Sequence, residues 1–199
     1  SIKGSVLFPD MVLPLQIENP SAIKMIDDVV LSHKMVGVVT RKRTEGENAN
    51  IPPHEASYSY GSVGLILKMV KMPNGGQNLL VQGLKRCKIL EFTQKEPYLM
   101  AKIHIFPKGK VKRTVEMEAL ISNIQRLFRR VMELSSHLPQ ELGVLVMNVQ
   151  DPNNIADLIA SNLNIQVEEL QEVLETLDIS DRLKKITLLL NKEIQVLEL

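Results

Sequence analysis

The spacing of apolar residues changes once along this chain of 199 residues, at the charged segment 108–113 (KGKVKR). Beyond that segment, apolar side chains recur every three or four positions, as on one face of a helix: Leu120, Ile124, Leu127, Val131 and Leu134. Before it, apolar residues form short runs of strand length, broken by proline, glycine and asparagine. The sequence therefore predicts an α+β fold, with a β-rich subdomain over residues 1–110 and an all-α helical bundle over residues 114–199.

The β-rich part should contain one helix and at least one hairpin. Asn19 is a helix cap and Pro20 suits the first helical position, so a helix is expected over about residues 20–33. The dipeptide Asn74-Gly75 indicates a hairpin turn between two strand-like runs. Residues 41–57 are polar and predict an exposed loop. Several runs are apolar on both faces, which favours a closed or strongly curled sheet over a flat one with a wet face.

The second part should contain several helices joined by short links. Thr114 caps the first of them. Later starts are expected where a capping residue or proline precedes an apolar stripe, at Pro139, at Asp151-Pro152, near Val167 and at Ser180-Asp181. Short links between helices make neighbours antiparallel, so a small bundle is expected.

Composition places the chain among soluble intracellular proteins. No apolar run approaches the roughly 20 residues that cross a bilayer, so no membrane partner is expected. Cys87 is the only cysteine, which excludes an internal disulfide and fits a reducing compartment. The net charge of +1 hides a basic first part, residues 1–114 at +8, and an acidic second part, residues 115–199 at −7.

Sequence motifs for catalysis or nucleotide binding are missing. There is no G-x-x-x-x-G-K-[ST] loop to cradle phosphates and no G-x-S-x-G nucleophile elbow. His54-Glu55 begins like the zinc motif H-E-x-x-H, but Tyr58 stands where the second histidine belongs. We therefore expect this segment to have no enzymatic activity, no metal site and no cofactor of its own.

Three stretches, in order along nearly the whole chain, carry recognisable motifs. Residues 6–15 read VLFPDMVLPL, residues 61–86 run from GSVGLIL through PNG to VQGLKR, and residues 151–183 run from DP through ADLIAS and LETLD to RL. Together they resemble the N-terminal domain of Lon-type ATP-dependent proteases. The first is similar to the family's leading V-x-F-P-G-M-x-x-P-L, the second to its hairpin and the V-x-G-x-x-R turn that follows, and the third to its helical half. The chain departs from the pattern at Asp10, where the family usually has glycine, and at Gln166, where a better helix cap is usual.

The resemblance implies a fold and a role. The fold would be a PUA-like curled sheet or pseudo-barrel with one helix, followed by the helical bundle. The parent chain would carry an ATPase module that uses ATP and Mg²⁺, and a Ser–Lys protease module, and would assemble as a homohexamer. The segment itself would recognise unfolded or damaged proteins and, through contacts with other copies of itself, support assembly of the oligomer, for protein quality control and the stress response. We expect a bacterial cytoplasmic location in preference to the mitochondrial matrix.

Two groups of residues are candidates for binding substrate proteins. Leu13, Pro14, Leu15 and Ile17 could form the apolar edge of a groove, where an extended peptide would add to the sheet through its backbone. Met72 and Pro73 lie beside the predicted hairpin tip, where a flexible thioether could adapt to varied partners. The alternative for the first group is an ordinary buried strand, and for methionines in general it is filling of the core.

The alternative function is a stand-alone PUA-like module that binds nucleic acid through its basic half. Its candidate contacts are the clusters at residues 41–43 (RKR) and 108–113. Aromatic residues make up 4% of the chain and tryptophan is absent, so stacking platforms for bases are scarce. We therefore interpret the basic clusters as solvated loops, with weak nucleic-acid contact as the competing reading.

Overall fold

A computed structural model describes residues 1–43 and 51–199, which divide into two compact units, Ser1–Pro107 and Lys108–Leu199. The first unit is built on an antiparallel sheet and the second consists of helices, so the predicted α+β class is confirmed. Within the described residues, no helix combines the length and the apolar character that crossing a membrane requires.

The first unit contains strands β1 (Val12–Ile17), β2 (Met35–Arg41), β3 (Ser57–Lys71), β4 (Gln77–Gln94) and β5 (Met100–Ile105). Their order is β1-β4-β3-β2, and all pairs are antiparallel. Strand β5 pairs with the second half of β4, so β1 and β5 follow one another along the same side of that strand. Five register shifts bend the ladders, as β-bulges do. The sheet is open rather than closed, with β1 and β2 at its edges in the described part of the chain.

Helix α1 (Pro20–Val30) begins where the sequence predicts, because the Asn19 side chain accepts hydrogen bonds from the backbone N–H groups of Ser21 and Ala22. It ends three residues earlier than expected. A second, short helix, α2 (Pro53–Ala56), forms inside the stretch predicted to be a loop, which corrects the expectation of one helix in this subdomain. Residues 44–50 of that predicted loop lie outside the described residues.

Residues 6–8 are buried without forming a strand. The Thr40 hydroxyl donates to the carbonyl of Ser5 at 2.7 Å, and the Ser62 hydroxyl donates to the carbonyl of Leu7 at 2.7 Å. Side chains therefore satisfy backbone groups that a ladder would otherwise pair. The segment contributes to one core cluster with α1 and the sheet, whose buried members are Leu7, Ile26, Val38, Ile66, Leu79 and Val81.

A close backbone approach at Gly83 fixes the start of β1. The Gly83 N–H donates to the carbonyl of Met11 at 2.8 Å, and the Asp10 N–H donates to the carbonyl of Gly83 at 2.8 Å. A Cβ atom on Gly83 would lie 2.1 Å from the carbonyl oxygen of Phe8. Asp10 itself has a φ of 64°, in the left-handed region that favours glycine. Gly83, which is the glycine of the V-x-G-x-x-R turn, and Asp10, which stands where the family usually has glycine, are thus hydrogen-bonded to one another's segment at the start of β1.

The second unit consists of α3 (Val115–Leu134), α4 (Gln140–Asn148), α5 (Pro152–Asn162), α6 (Val167–Glu175) and α7 (Ile179–Leu197). Thr114 caps α3 and Asp151 caps α5, as the sequence predicts. Gln166 makes no side-chain cap for α6. Helix α7 begins one to two residues earlier than expected, because Asp178 accepts from the Asp181 N–H and acts as its cap. The fully buried side chains of this unit include Ile124, Phe128, Ile155, Ile159, Leu183, Ile186 and Leu190.

Arg182 ties three elements of the helical unit together. Its side chain is 3% exposed and donates to the carbonyls of Thr176 at 2.8 Å and Leu177 at 3.1 Å, in the link between α6 and α7. It also donates to the Asn153 side chain of α5 at 3.3 Å. The helical stretch that resembles the Lon family therefore includes residues that hold the unit together.

Candidate functional site

The two faces of the sheet formed by β1 to β4 differ in what covers them. On one face, Val81 of β4 pairs with Leu13 of β1 and with Ile66 of β3. Val81 and Ile66 belong to the core cluster, and Leu13 packs against it. Side chains alternate along each strand, and directly paired residues point to the same side. The neighbouring residues therefore form the opposite face.

That opposite face is rich in apolar side chains. One row crosses four strands, from Val12 through Gln82 and Leu65 to Met35. Two further rows run from Pro14 through Leu80 to Lys68, and from Gln16 through Asn78 to Val70. Its apolar members, called here the apolar sheet face, are Val12, Pro14, Met35, Leu65, Val70 and Leu80.

Members of the apolar sheet face remain accessible to solvent. Val12 is 48% exposed, Val70 is 43% exposed and Met35 is 42% exposed, and Pro14 is exposed as well. Leu65 and Leu80 are half-buried between them. Contiguous exposed apolar residues are typical of surfaces that bind other proteins, whereas single ones carry no such meaning.

Strand β1 also presents an open edge. It pairs with β4 on one side, and no other strand among the described residues pairs with it. Pro14 fits this position because it lacks an N–H group and is tolerated in edge strands. An extended peptide could pair with the remaining backbone groups of β1, which is how several domains bind unfolded segments.

The hairpin between β3 and β4 lies at the end of the apolar sheet face. The Met72 N–H donates to the carbonyl of Gly76 at 2.8 Å, and Gly75 adopts a φ of 90°. The Asn78 amide approaches the Met72 sulfur at 3.4 Å. Because Asn78 lies in the row that ends at Val70, the 36% exposed Met72 borders the apolar sheet face.

The structure separates the residues that the sequence proposes for substrate binding. Pro14 belongs to the apolar sheet face, Met72 borders it, and Pro73 lies exposed at the hairpin tip. By contrast, the remaining three candidates are half-buried and pack against the core cluster on the other face: Leu13, Leu15 and Ile17. Whether any of the six contacts a substrate stays a prediction.

Sequence reasoning missed four members of the surface, namely Met35, Leu65, Val70 and Leu80, and passed over Val12. The signal that identifies them is strand register, since they become neighbours through pairing between strands that lie far apart in the chain. Because side chains of a strand alternate between its two faces, the bounds of β1 would have been enough to place Val12 and Pro14 on one face and Leu13 and Leu15 on the other. Those bounds are not evident from the sequence.

A groove of about 600 Å³ lies between α1 and the hairpin tip. Its acidic wall is already engaged, because Asp27 accepts from the Gln77 amide at 2.8 Å and Asp28 accepts from the Tyr98 hydroxyl at 3.0 Å. The hydrogen bond to Asp28 raises the pKa of Tyr98. Among residues 1–43 and 51–199, no group of three or more His, Cys, Asp or Glu side chains is placed to hold a metal ion. The groove offers no evident chemistry beyond polar contact.

In the first unit, Cys87 is a candidate reactive group and Tyr60 is a candidate stacking platform. Burial raises the pKa of the Cys87 thiol to about 11, so it is protonated at neutral pH and a poor nucleophile. The Tyr60 ring is stacked on Phe106 at 5.9 Å between centroids, and the Lys88 ammonium lies 5.3 Å from its centroid. Because Phe106 and Lys88 are already partners of the ring, Tyr60 is not a free platform on which a base could stack.

Comparison with known proteins gives one consistent family. A model described as the substrate-binding domain of ATP-dependent protease La (LON) matches residues 1–192. The Lon protease of Dictyoglomus thermophilum is 35% identical over 198 residues, which cover 100% of this chain and 24% of that protein. The Lon protease of Anaeromyxobacter dehalogenans is 39% identical over 198 residues, which cover 100% of this chain and 23% of that protein. The chain thus spans about a quarter of the length of the curated relatives it matches.

Solved structures give the same fold at lower sequence identity. The N-terminal domain of a Lon protease from the Mycobacterium avium complex superposes with a TM-score of 0.72 at 20% identity, covering 96% of this chain and 95% of that one. A Lon N-terminal domain protein from Xanthomonas campestris gives a TM-score of 0.64 at 14% identity, covering 93% of this chain and 94% of that one.

Proposed function

The chain belongs to the family of Lon substrate-binding domains, and on that basis we propose that it captures unfolded or damaged proteins for a Lon-type ATP-dependent protease. In this role the segment binds and holds substrate, while cleavage is carried out elsewhere in the parent protein. The comparisons favour this function and give no support to the alternative of a nucleic-acid-binding module.

The observation that carries the proposal is the exposed apolar sheet face beside an open strand edge. Unfolded proteins differ from folded ones in two respects, since they expose apolar side chains and unpaired backbone groups. The face can bury the side chains and the edge of β1 can pair with the backbone. Neither interaction requires a particular sequence, which suits a domain that must accept many damaged proteins.

The parent protein is proposed to supply the remaining functions. These are an ATPase module that uses ATP and Mg²⁺, a serine endopeptidase module, and assembly into a homohexamer in which several weak capture sites act together. The curated relatives are named Lon protease and come from bacteria, which supports a bacterial cytoplasmic setting for quality control.

A binding assay with three substitutions on the surface tests the proposal. The substitutions Val12→Thr, Met35→Gln and Val70→Thr replace exposed apolar groups with polar ones of similar shape. The probe is a small protein with a point variant that is unfolded in buffer, so that native and unfolded forms differ by one residue. We expect the wild-type chain to bind the unfolded form selectively, and the triple variant to bind it about tenfold more weakly.

The matched control is Met100→Gln, which removes a comparably exposed apolar group from the far end of β5, opposite Gln94 and away from the surface. It should leave the affinity unchanged. Equal binding of the native and unfolded probes, or equal loss in the control, would rule out capture at the apolar sheet face.

A further inference from the structure

At the strand positions that build the apolar sheet face, the charged residues are of one sign. Strands β1, β2 and β3 contain no acidic residue. The sole acidic residue of β4 is Glu91, which pairs with Lys102 of β5 at the far end of the strand. The described carboxylates of the first unit thus lie outside the strand positions that build this surface, and the exposed Asp10 and Glu18 lie just beyond the two ends of β1.

Two lysines flank the surface and are exposed. Lys68 ends the row that begins at Pro14, and Lys85 pairs with Val63 one row beyond Leu65. Neither lysine forms an ion pair with any described residue. A partner that buries the apolar residues would meet both ammonium groups.

The positions of the two lysines determine where a bound polypeptide segment would need to carry negative charges. Lys68 lies two strands from β1, which is about 10 Å, and Lys85 lies five residues along β4 from Leu80, which is roughly 17 Å. An extended segment bound along β4 over Leu80 and Leu65 would reach the lysines with side chains on either side of its apolar centre, while Val70 lies one row beyond Lys68. The centre would be about five residues long.

From this arrangement we propose that the apolar sheet face selects polypeptide segments in which a short apolar centre is flanked by aspartate or glutamate. The proposal rests on the proposed function and adds the chemistry of the preferred substrate. Opposite charges at a rim steer association and suppress wrong partners, so basic flanks should be disfavoured. The surface contains no aromatic side chain on which a base could stack, and a nucleic acid has no apolar side chains to bury, so a polypeptide fits it better.

Three dye-labelled peptides with one apolar centre test the proposal. Their flanks are aspartate and glutamate in the first, lysine in the second, and serine and glutamine in the third. Fluorescence anisotropy with the whole chain at low salt should show the acidic peptide binding about fivefold or more tighter than the basic one. Added sodium chloride should reduce that ratio, because both lysines are exposed to solvent.

Two variants separate the role of the lysines from general charge. In the double variant Lys68→Gln and Lys85→Gln, the acidic and basic peptides should bind within about twofold of each other. The control is Lys102→Gln on β5, opposite Glu91, which should retain the wild-type ratio. The proposal is overturned if the wild-type chain binds the acidic and basic peptides with nearly equal affinity. It is also overturned if the double variant keeps the wild-type ratio of these two affinities.

The outcomes also distinguish this proposal from the proposed function. If all three peptides bind with equal affinity, the apolar sheet face captures segments without charge preference, and only the selectivity is lost. If no peptide binds while the chain still binds an unfolded protein, this face is not the site and the selectivity falls with it. If neither peptides nor unfolded protein bind, capture by this domain is itself wrong.

Discussion

At the scale of single residues, the junction of Asp10 and Gly83 shows how far a sequence pattern can be interpreted. Asp10 could be identified as unusual from the sequence, because glycine is typical there, and its φ of 64° explains why. The need for Gly83 could not be derived in the same way. A Cβ atom at position 83 would lie 2.1 Å from the carbonyl oxygen of Phe8. That close approach depends on strand register, which the local sequence does not show.

Replacing Gly83 with alanine should destabilise the first unit. The added Cβ would clash with backbone rather than with a flexible side chain, so we expect the free energy of unfolding to fall by about 2–3 kcal/mol. Urea unfolding followed by tyrosine fluorescence measures this, because Tyr58, Tyr60 and Tyr98 all lie in the first unit. The control Gly37→Ala meets nothing within 4 Å and should change little. Equal effects of the two substitutions would contradict the close approach.

Asp10 offers a test of backbone conformation. At a φ of 64°, alanine should cost about 1 kcal/mol relative to glycine, since both remove the carboxylate and they differ in the left-handed strain. The same unfolding assay should therefore rank Asp10→Gly above Asp10→Ala in stability. The reverse order would mean that residue 10 does not adopt the left-handed conformation in solution.

At the scale of elements, helices were more predictable than strands. Capping residues and stripes located α3, α5 and α6 to within one or two residues, because the signals are local in sequence. Even so, the buried side of α3 is wider than its predicted stripe, since Ile121 and Phe128 are buried too. For β1, the run of apolar residues was recognised, but which of them face the core depends on its pairing with β4.

Adjacent residues of β1 should therefore respond differently to the same substitution. Leu13→Thr removes a half-buried group that packs on the core, and should lower the free energy of unfolding by about 1–2 kcal/mol. Val12→Thr alters an exposed group, and should leave stability within about 0.5 kcal/mol while weakening binding of an unfolded protein. Unfolding and binding assays on both variants would contradict the assigned alternation if Val12→Thr were the more destabilising.

The link between α6 and α7 should depend on Arg182. Alanine at this position would leave the carbonyls of Thr176 and Leu177 without its guanidinium, and should destabilise the helical unit by about 2–4 kcal/mol. Urea unfolding followed by far-UV circular dichroism reports the helical unit. The exposed Lys184 of the same helix supplies the control, and Lys184→Ala should have a small effect. If both variants unfold alike, the buried network does not stabilise the unit.

At the scale of the whole molecule, charge and hydrophobicity are distributed unevenly along the chain. The sequence predicted the imbalance between a basic first part and an acidic second part. It did not predict that strands β1 to β3 would bring exposed apolar residues and lysines together without a carboxylate. That surface is formed by pairing between strands that are distant in sequence. Its composition therefore depends on strand register and not on local sequence patterns.

An NMR titration tests most directly whether this surface captures unfolded protein. Isotope-labelled chain would be titrated with one small protein in its native form and as an unfolded point variant. We expect amide shifts with the unfolded form alone, clustered at Val12–Ile17, at Met35, at Val70 and at the hairpin residues beginning with Met72. Equal shifts with both forms, or shifts confined to positions away from the apolar sheet face, would contradict the account.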